Sequence, residues 1–245
     1  MTSPSICEYN RQMTHQPGRF DHPERAAAYD ERIGKILPGY DVLHRMVDVI
    51  LSAELPEEAS LLIVGAGTGH ELVLLAQKHP GWRFTAVEPA APMIAIAKEK
   101  LAMAGTSDHV AWHASTMNDF AGEEHFDAAT LMMVLHLVPE ENQYTLVTDL
   151  SDRLNPGSPL VLADIFGDPT TTRYKKADAL TKAWAVASGL DQKWIDDVFP
   201  PAPRADFHAF TEERLKGWLK EAGFIDVQRF YQAFRVGAWI ARANR

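Results

Sequence analysis

The stretch Leu61-Leu62-Ile63-Val64-Gly65-Ala66-Gly67-Thr68-Gly69-His70-Glu71-Leu72-Val73-Leu74-Leu75-Ala76 decides the fold. Four apolar residues run straight into three alternate glycines, and an apolar stretch of helical character follows. A short unbroken apolar run is what a strand covered on both faces of a parallel sheet requires. Glycines at the next turn let the backbone bend sharply and approach a ligand with no Cβ in the way. The spacing is G-x-G-x-G rather than the G-x-G-x-x-G of dinucleotide sites, so a dehydrogenase reading fits the fold but not the turn. Glu88 closes the following apolar run. A carboxylate there has two oxygens to accept hydrogen bonds from both hydroxyls of a ribose.

Outward from this stretch the pattern alternates strand and helix. Strands are predicted at SLLIVGAG (60–67), WRFTAVEP (82–89), HVAWHAS (109–115), FDAATLMMVL (126–135) and PLVLADIF (159–166). Helices fall between them at 68–79, 92–104 and 139–154, the last closed by Asn155-Pro156-Gly157. Such alternation implies a mostly parallel Rossmann-like sheet with helices on both faces and right-handed crossovers. IDVQRFYQ and RVGAWIARA (225–232 and 235–243) add an antiparallel C-terminal hairpin, for seven strands in all. A helix between Thr211 as N-cap and Gly223 as C-cap precedes it.

Upstream, Asp21-His22-Pro23-Glu24 reads as a helix start with Asp21 as N-cap, the helix ending near Gly34. A second helix is predicted over 41–55 with Val42, Met46, Val49 and Ile50 on one face. Residues 167–210 break the strand–helix rhythm with two helical stretches, near 170–187 and 191–198, and the segment PPAPRADFHA (200–209). Five regions follow: a loose tail (1–20), N-terminal helices over the cofactor site (21–56), a cofactor-binding core (57–166), a helical cap (167–210), and a last helix and hairpin completing the core (211–245).

Composition narrows the function. The 245 residues are 46% hydrophobic and 23% charged, the balance of a globular chain that needs no disulfide staples. Cys7 is the single cysteine, which fits a reducing compartment. The start MTSPSICEYNRQ has no basic segment followed by an apolar one, and no apolar run reaches the ~20 residues that span a bilayer. A cytoplasmic protein with no membrane partner is expected. The net charge is −9, with Lys and Arg interleaved among Asp and Glu, which argues against nucleic acid as substrate.

GAGTG (65–69), VEPAAPMI (87–94) and LNPGSPLVLAD (154–164) resemble the motifs of class I S-adenosylmethionine-dependent methyltransferases. Within that superfamily the chain is similar to the carboxy-S-adenosylmethionine synthase group and its plain methyltransferase cousins. YDERIGKILPGYDVL (29–43), ASGLDQKWI (187–195) and YQAFRVGAWIA (231–241) carry that likeness. The resemblance implies S-adenosylmethionine as cofactor, a small-molecule acceptor and a homodimer. It places Gly65, Ala66 and Gly67 along the methionine part of the cofactor, Glu88 at the ribose, and Pro89 and Met93 toward the adenine. It brings Tyr40 in from the N-terminal helices, with Tyr29 and Arg32 one helix away and Arg32 a candidate partner for the cofactor carboxylate. The family commonly has an acid at the end of the third strand. This chain has Ala114-Ser115-Thr116-Met117 there, so backbone groups with Ser115 and Thr116 are left to hold the adenine.

Methyl transfer from a sulfonium is an in-line displacement, so the protein must align donor and acceptor and exclude water. No Ser-His-Asp or Cys-His order stands out, and the ten histidines show no zinc-like spacing, so no metal site is predicted. MMVLHLVP (132–139) puts Met132, Val134 and His136 near the carboxyl ends of the strands, where ligands bind in such sheets. His136 is the first candidate for a base or acceptor-orienting group and Asp164, at the end of the fifth strand, the second. Phe166, Tyr174 and Trp184 are candidates to line an acceptor pocket. The synthase activity, as the resemblance implies it, takes an arginine in the cap just before the equivalent of ASGL. Here that segment is Lys182-Ala183-Trp184-Ala185-Val186, and a lysine gives no bidentate contact, so ordinary methyl transfer is favoured. The alternatives are carboxy-S-adenosylmethionine synthase-like activity, a tRNA-modification-related role, or a non-catalytic S-adenosylmethionine-binding protein.

Overall fold

The computed structural model describes residues 20–199 and 207–244. The tail expected over 1–20 lies outside the described residues apart from Phe20, as do Cys7 and most of the proline segment after Phe199. Helices α1 (Pro23–Ala27), α2 (Tyr29–Ile36) and α3 (Tyr40–Glu54) open the fold. Then come β1 (Ser60–Val64), α4 (His70–Lys78), β2 (Arg83–Val87), α5 (Ala91–Ala104), β3 (Val110–His113), β4 (Ala128–Met132), α6 (Glu140–Asp152) and β5 (Pro159–Ile165). After β5 the chain forms α7 (Thr172–Ala187), α8 (Gln192–Val198), α9 (Glu212–Glu221), β6 (Phe224–Ala233) and β7 (Val236–Ala243).

The sheet has seven strands in the order β3-β2-β1-β4-β5-β7-β6. The first five are parallel; β7 runs antiparallel to β5 and to β6. The fold is therefore the expected Rossmann-like α/β sheet with an antiparallel C-terminal hairpin. Strand alternation feeds two cores. Leu62 and Val64 of β1 face one side with Leu146, Val147 and Leu150 of α6 and Leu215 and Leu219 of α9. Leu61 and Ile63 face the other with Leu43, Val47 and Leu51 of α3 and Leu72 and Leu75 of α4. Both faces are covered, which is why the strands read as continuous apolar runs.

The structure corrects three local expectations. The first helix is two: it breaks at Ala28, and the second part runs through Gly34 to Ile36. Its cap residue is His22, not Asp21, and makes no side-chain cap hydrogen bond. The buried apolar residues of α3 are Leu43, Val47 and Leu51; of the stripe beside them, Ile50 packs partly against the core while Val42 and Val49 are exposed. Both stripes repeat with helical spacing, and only contact with the sheet selects between them. Thr211 does cap α9, accepting from the Arg214 N–H, but the helix ends on Ala222 and Gly223 follows it with φ +93°. That is the left-handed position just beyond a helix where glycine is favoured.

Candidate cofactor and acceptor site

Ligands in open α/β sheets sit beyond the carboxyl ends of the strands where strand order reverses. Here β1 and β4 are neighbours, with β2 and β3 to one side and β5 to the other, so the switch point lies at their carboxyl ends. The turn after β1 (65–69) and the segment after β4 (133–137) meet there.

The three glycines do different work. Gly65 has φ +72°, and a Cβ on it would stand 2.2 Å from Val134 Cγ2. Gly65 thus allows the two loops at the switch point to touch. Gly69, φ +76°, brings α4 against α5; a Cβ there would lie 2.8 Å from that of Ala97. At Gly67, φ +53°, an added Cβ would meet nothing closer than 3.9 Å. Neighbouring packing does not demand a glycine at Gly67. The backbone conformation does, together with the open space the missing Cβ leaves over the turn.

Glu88 is 7% exposed and held at both oxygens. The Gly67 N–H donates to Oε2 and the Ala90 N–H to Oε1, each at 2.9 Å. Burial pushes its carboxyl above the ordinary range, and these two backbone donors oppose that. Each oxygen retains a second lone pair, so two hydroxyls can still be accepted. Two residues beyond β3, the Ser115 hydroxyl is buried without a partner. An open cradle at Gly67, an acceptor pair at Glu88 and an orphaned hydroxyl suit a nucleoside ligand.

Tyr29, Tyr40, Gly65, Ala66, Gly67 and Met132 line one cavity together. Leu37, Leu43, His44, Thr68, His70, Glu71 and Met133 complete it, none of them picked out by sequence reasoning. Glu71 did carry a signal, being an acid on the apolar stripe of α4. Met93 is buried against Ala26 and Ala90, so α1 covers it, whereas Pro89 is exposed. Thr116 is exposed and its hydroxyl donates to Asp119. Val134 packs over Gly65. Arg32 is not among the residues lining this cavity; its guanidinium lies over the ring of Trp194 of α8, 4.9 Å from the ring centre. The N-terminal helices are clasped to the turn by the Thr68 hydroxyl, which donates to Asp30 at 2.6 Å, and Asp30 also pairs with Lys100.

The two catalytic candidates form one unit. His136 Nδ1 lies 2.6 Å from Asp164 Oδ1, and the His136 N–H donates to Oδ2 at 3.2 Å. Asp164 is fully buried and also accepts from the Ile165 N–H at 2.6 Å. Facing this carboxylate, Nδ1 is the donor, and in the neutral ring Nε2 is then free to accept. The His136 ring packs 5.5 Å from Phe207, centre to centre.

Tyr174 is buried against Gly167, and Trp184 is 39% exposed. Phe166 packs edge-on against Trp239. An arginine does reach the helical insertion, from the C-terminal hairpin rather than from the insertion itself. Arg235, at the β6–β7 turn, is buried; it pairs with Asp178 of α7 at 2.7 Å and donates to the Tyr174 hydroxyl at 3.3 Å. Asp178 is also bound by Lys182 at 2.9 Å. Arg235 lies between Phe199 and Phe207, and its Nε has no partner.

Residues 62–160 match the family described as a methyltransferase domain. The carboxy-S-adenosyl-L-methionine synthase of Campylobacter concisus is 24% identical over 84% of this chain and 87% of that protein. The synthase of Shewanella amazonensis is 23% identical over 93% of each. Among solved structures, the N-methyltransferase NodS of Bradyrhizobium japonicum, in complex with S-adenosyl-L-homocysteine, superposes with a TM-score of 0.62 at 19% identity. That superposition covers 92% of this chain and 98% of NodS. The domain match falls on the glycine turn and the strands just described, so residues 62–160 carry a methyltransferase-type domain, and the solved structures share its fold.

Proposed function

We propose that the protein transfers the methyl group of S-adenosylmethionine to a small-molecule acceptor held between the His136–Asp164 pair and the helical insertion after β5. The bond from Gly67 N–H to Glu88 carries this reading, because it couples the turn to the acceptor group that would take the ribose hydroxyls. Bound S-adenosylmethionine supplies an electrophilic methyl on a sulfonium. Gly65, Ala66 and Gly67 present backbone to it, Glu88 holds the ribose, and Ser115 serves the adenine end. Asp164 fixes the His136 tautomer, so Nε2 can take a proton from an acceptor hydroxyl or amine as it is methylated. α7 and α8 act as a lid that excludes water and, with Tyr174 and Trp184, shape the acceptor site. The Thr68–Asp30 bond ties α2 to the glycine turn and so closes the N-terminal helices over this end of the site.

Calorimetry with S-adenosylhomocysteine tests the cofactor half. Glu88→Ala should lose about 1–3 kcal/mol of affinity, the range for stranded hydrogen-bonding groups; an unchanged affinity removes Glu88 from the site. Two observations favour a second reading, carboxy-S-adenosylmethionine synthase-like activity: the names of the curated relatives, and the entry of Arg235 into the helical insertion. Against it, Asp178 already meets the Arg235 charge. Mass spectrometry of the compound that co-purifies decides, since a carboxylated cofactor is heavier than S-adenosylmethionine. Among the described residues no helix is long and apolar enough to cross a membrane. A cytoplasmic homodimer remains our reading from the family likeness, and a monomer by light scattering would refute the dimer.

A further inference from the structure

Glu71 is a carboxyl in an unfavourable place. It sits in the first turn of α4 on the face that buries Leu72, Leu75 and Ala76, and it is 7% exposed. Its Oε1 has no hydrogen-bond partner, and no ion pair to it occurs among the described residues. A methionine there would fill the same volume at no desolvation cost, so packing alone gives no reason for an acid. Glu71 opens onto the cavity formed by the glycine turn, and His44, also buried, lines the same cavity with an unpartnered Nδ1. Tyr40, His44 and His70 form one wall, their ring centres 4.6–4.9 Å apart. Tyr29 enters from α2, and Thr130 lies beneath on β4.

This chamber therefore holds a buried acid with no charged partner among the described residues, its polar neighbour the Thr130 hydroxyl, and no lysine or arginine lines it. Burial keeps His44 neutral, lowering it to about 3, and raises Glu71 to about 7. A ligand bringing a cation would turn Glu71 into a carboxylate and release its proton to solvent. Glu88 marks the nucleoside side of the glycine turn through Gly67. The cavity carrying Glu71 is then left for the other end of the cofactor, an amino acid with an ammonium group.

We infer that Glu71 binds the ammonium group of the amino-acid end of S-adenosylmethionine, and so decides whether the protein distinguishes the whole cofactor from its nucleoside fragment. This rests on the cofactor reading above. Two ligands separate it: S-adenosylhomocysteine, which has the amino-acid tail, and 5′-methylthioadenosine, which lacks it. By calorimetry, the unaltered protein should bind S-adenosylhomocysteine more tightly. Glu71→Gln should weaken that ligand roughly ten- to a hundredfold, as for a lost hydrogen bond to a charged group, and leave 5′-methylthioadenosine unchanged. Glu71→Met, which keeps the volume without the charge, should behave alike. Equal weakening of both ligands, or of neither, overturns the assignment, and loss of all binding in both variants makes Glu71 a folding residue and overturns it too. If the unaltered protein binds neither ligand, the cofactor reading itself fails.

Discussion

Replacing Gly65 by alanine tests whether this glycine serves the fold, as distinct from the ligand. The backbone there has φ +72°, a conformation that costs a side-chain-bearing residue about 1–2 kcal/mol. The new Cβ would also lie 2.2 Å from Val134 Cγ2, so Val134 or the turn must move. Forcing an extra carbon into packed surroundings costs about 1–3 kcal/mol more. The sum is a loss of about 2–5 kcal/mol, a large share of a domain's net stability. Removing the obstacle isolates the two contributions. In a Val134→Ala background the nearest remaining atom is the Cβ at 3.4 Å, an ordinary contact, so only the backbone contribution should persist. Denaturant unfolding of the parent, both single variants and the double variant gives the coupling directly, about 1–3 kcal/mol. If Gly65→Ala destabilises the Val134→Ala protein as much as the parent, the loops do not meet as described. Gly67→Ala is the contrast: its Cβ has open space, so it should lose only the backbone contribution in stability while binding S-adenosylhomocysteine far more weakly.

Other consequences follow from single groups. The pKa of Glu71 rises from 4.5 unfolded to about 7 folded, so its favourable contribution is whole below 4.5 and is lost as pH climbs through 7. Unliganded Glu71→Gln should then gain on the parent by up to about 3 kcal/mol between roughly pH 4 and pH 8 in denaturant melts; a pH-independent gap would contradict this. Asp164→Asn presents an amide where an acceptor now holds His136, so turnover should fall roughly a hundredfold while cofactor affinity stays within a few fold. Parent-rate turnover would dismiss the His136–Asp164 pair from the chemistry. Trp184→Ala and Tyr174→Ala should likewise bind cofactor normally and lose turnover if α7 closes over the acceptor. Full rates in both would place the acceptor elsewhere.

Local pattern was enough for the order of strands and helices, the glycine turn, and Glu88 as the acid facing it. Each rests on residues within one element or on two consecutive strand ends, where spacing along the chain translates directly into spacing in space. Where two patterns competed, as on α3, the chain alone did not choose; contact with the sheet selected the Leu43, Val47 and Leu51 stripe. The sequence suggested His136 and Asp164 as separate candidates, but their union required β4 and β5 to lie side by side. Arg235 was overlooked because the hairpin turn carrying it is remote in sequence from the insertion it enters. Glu71 reads on paper as one more acid in a first helical turn, where the helix dipole favours it. Only the packing of α3, α4 and the glycine turn shows that it is buried, without a charged partner and open to the cavity. Periodicity says which side of an element is apolar; it does not say what stands opposite, and a site is made by what stands opposite.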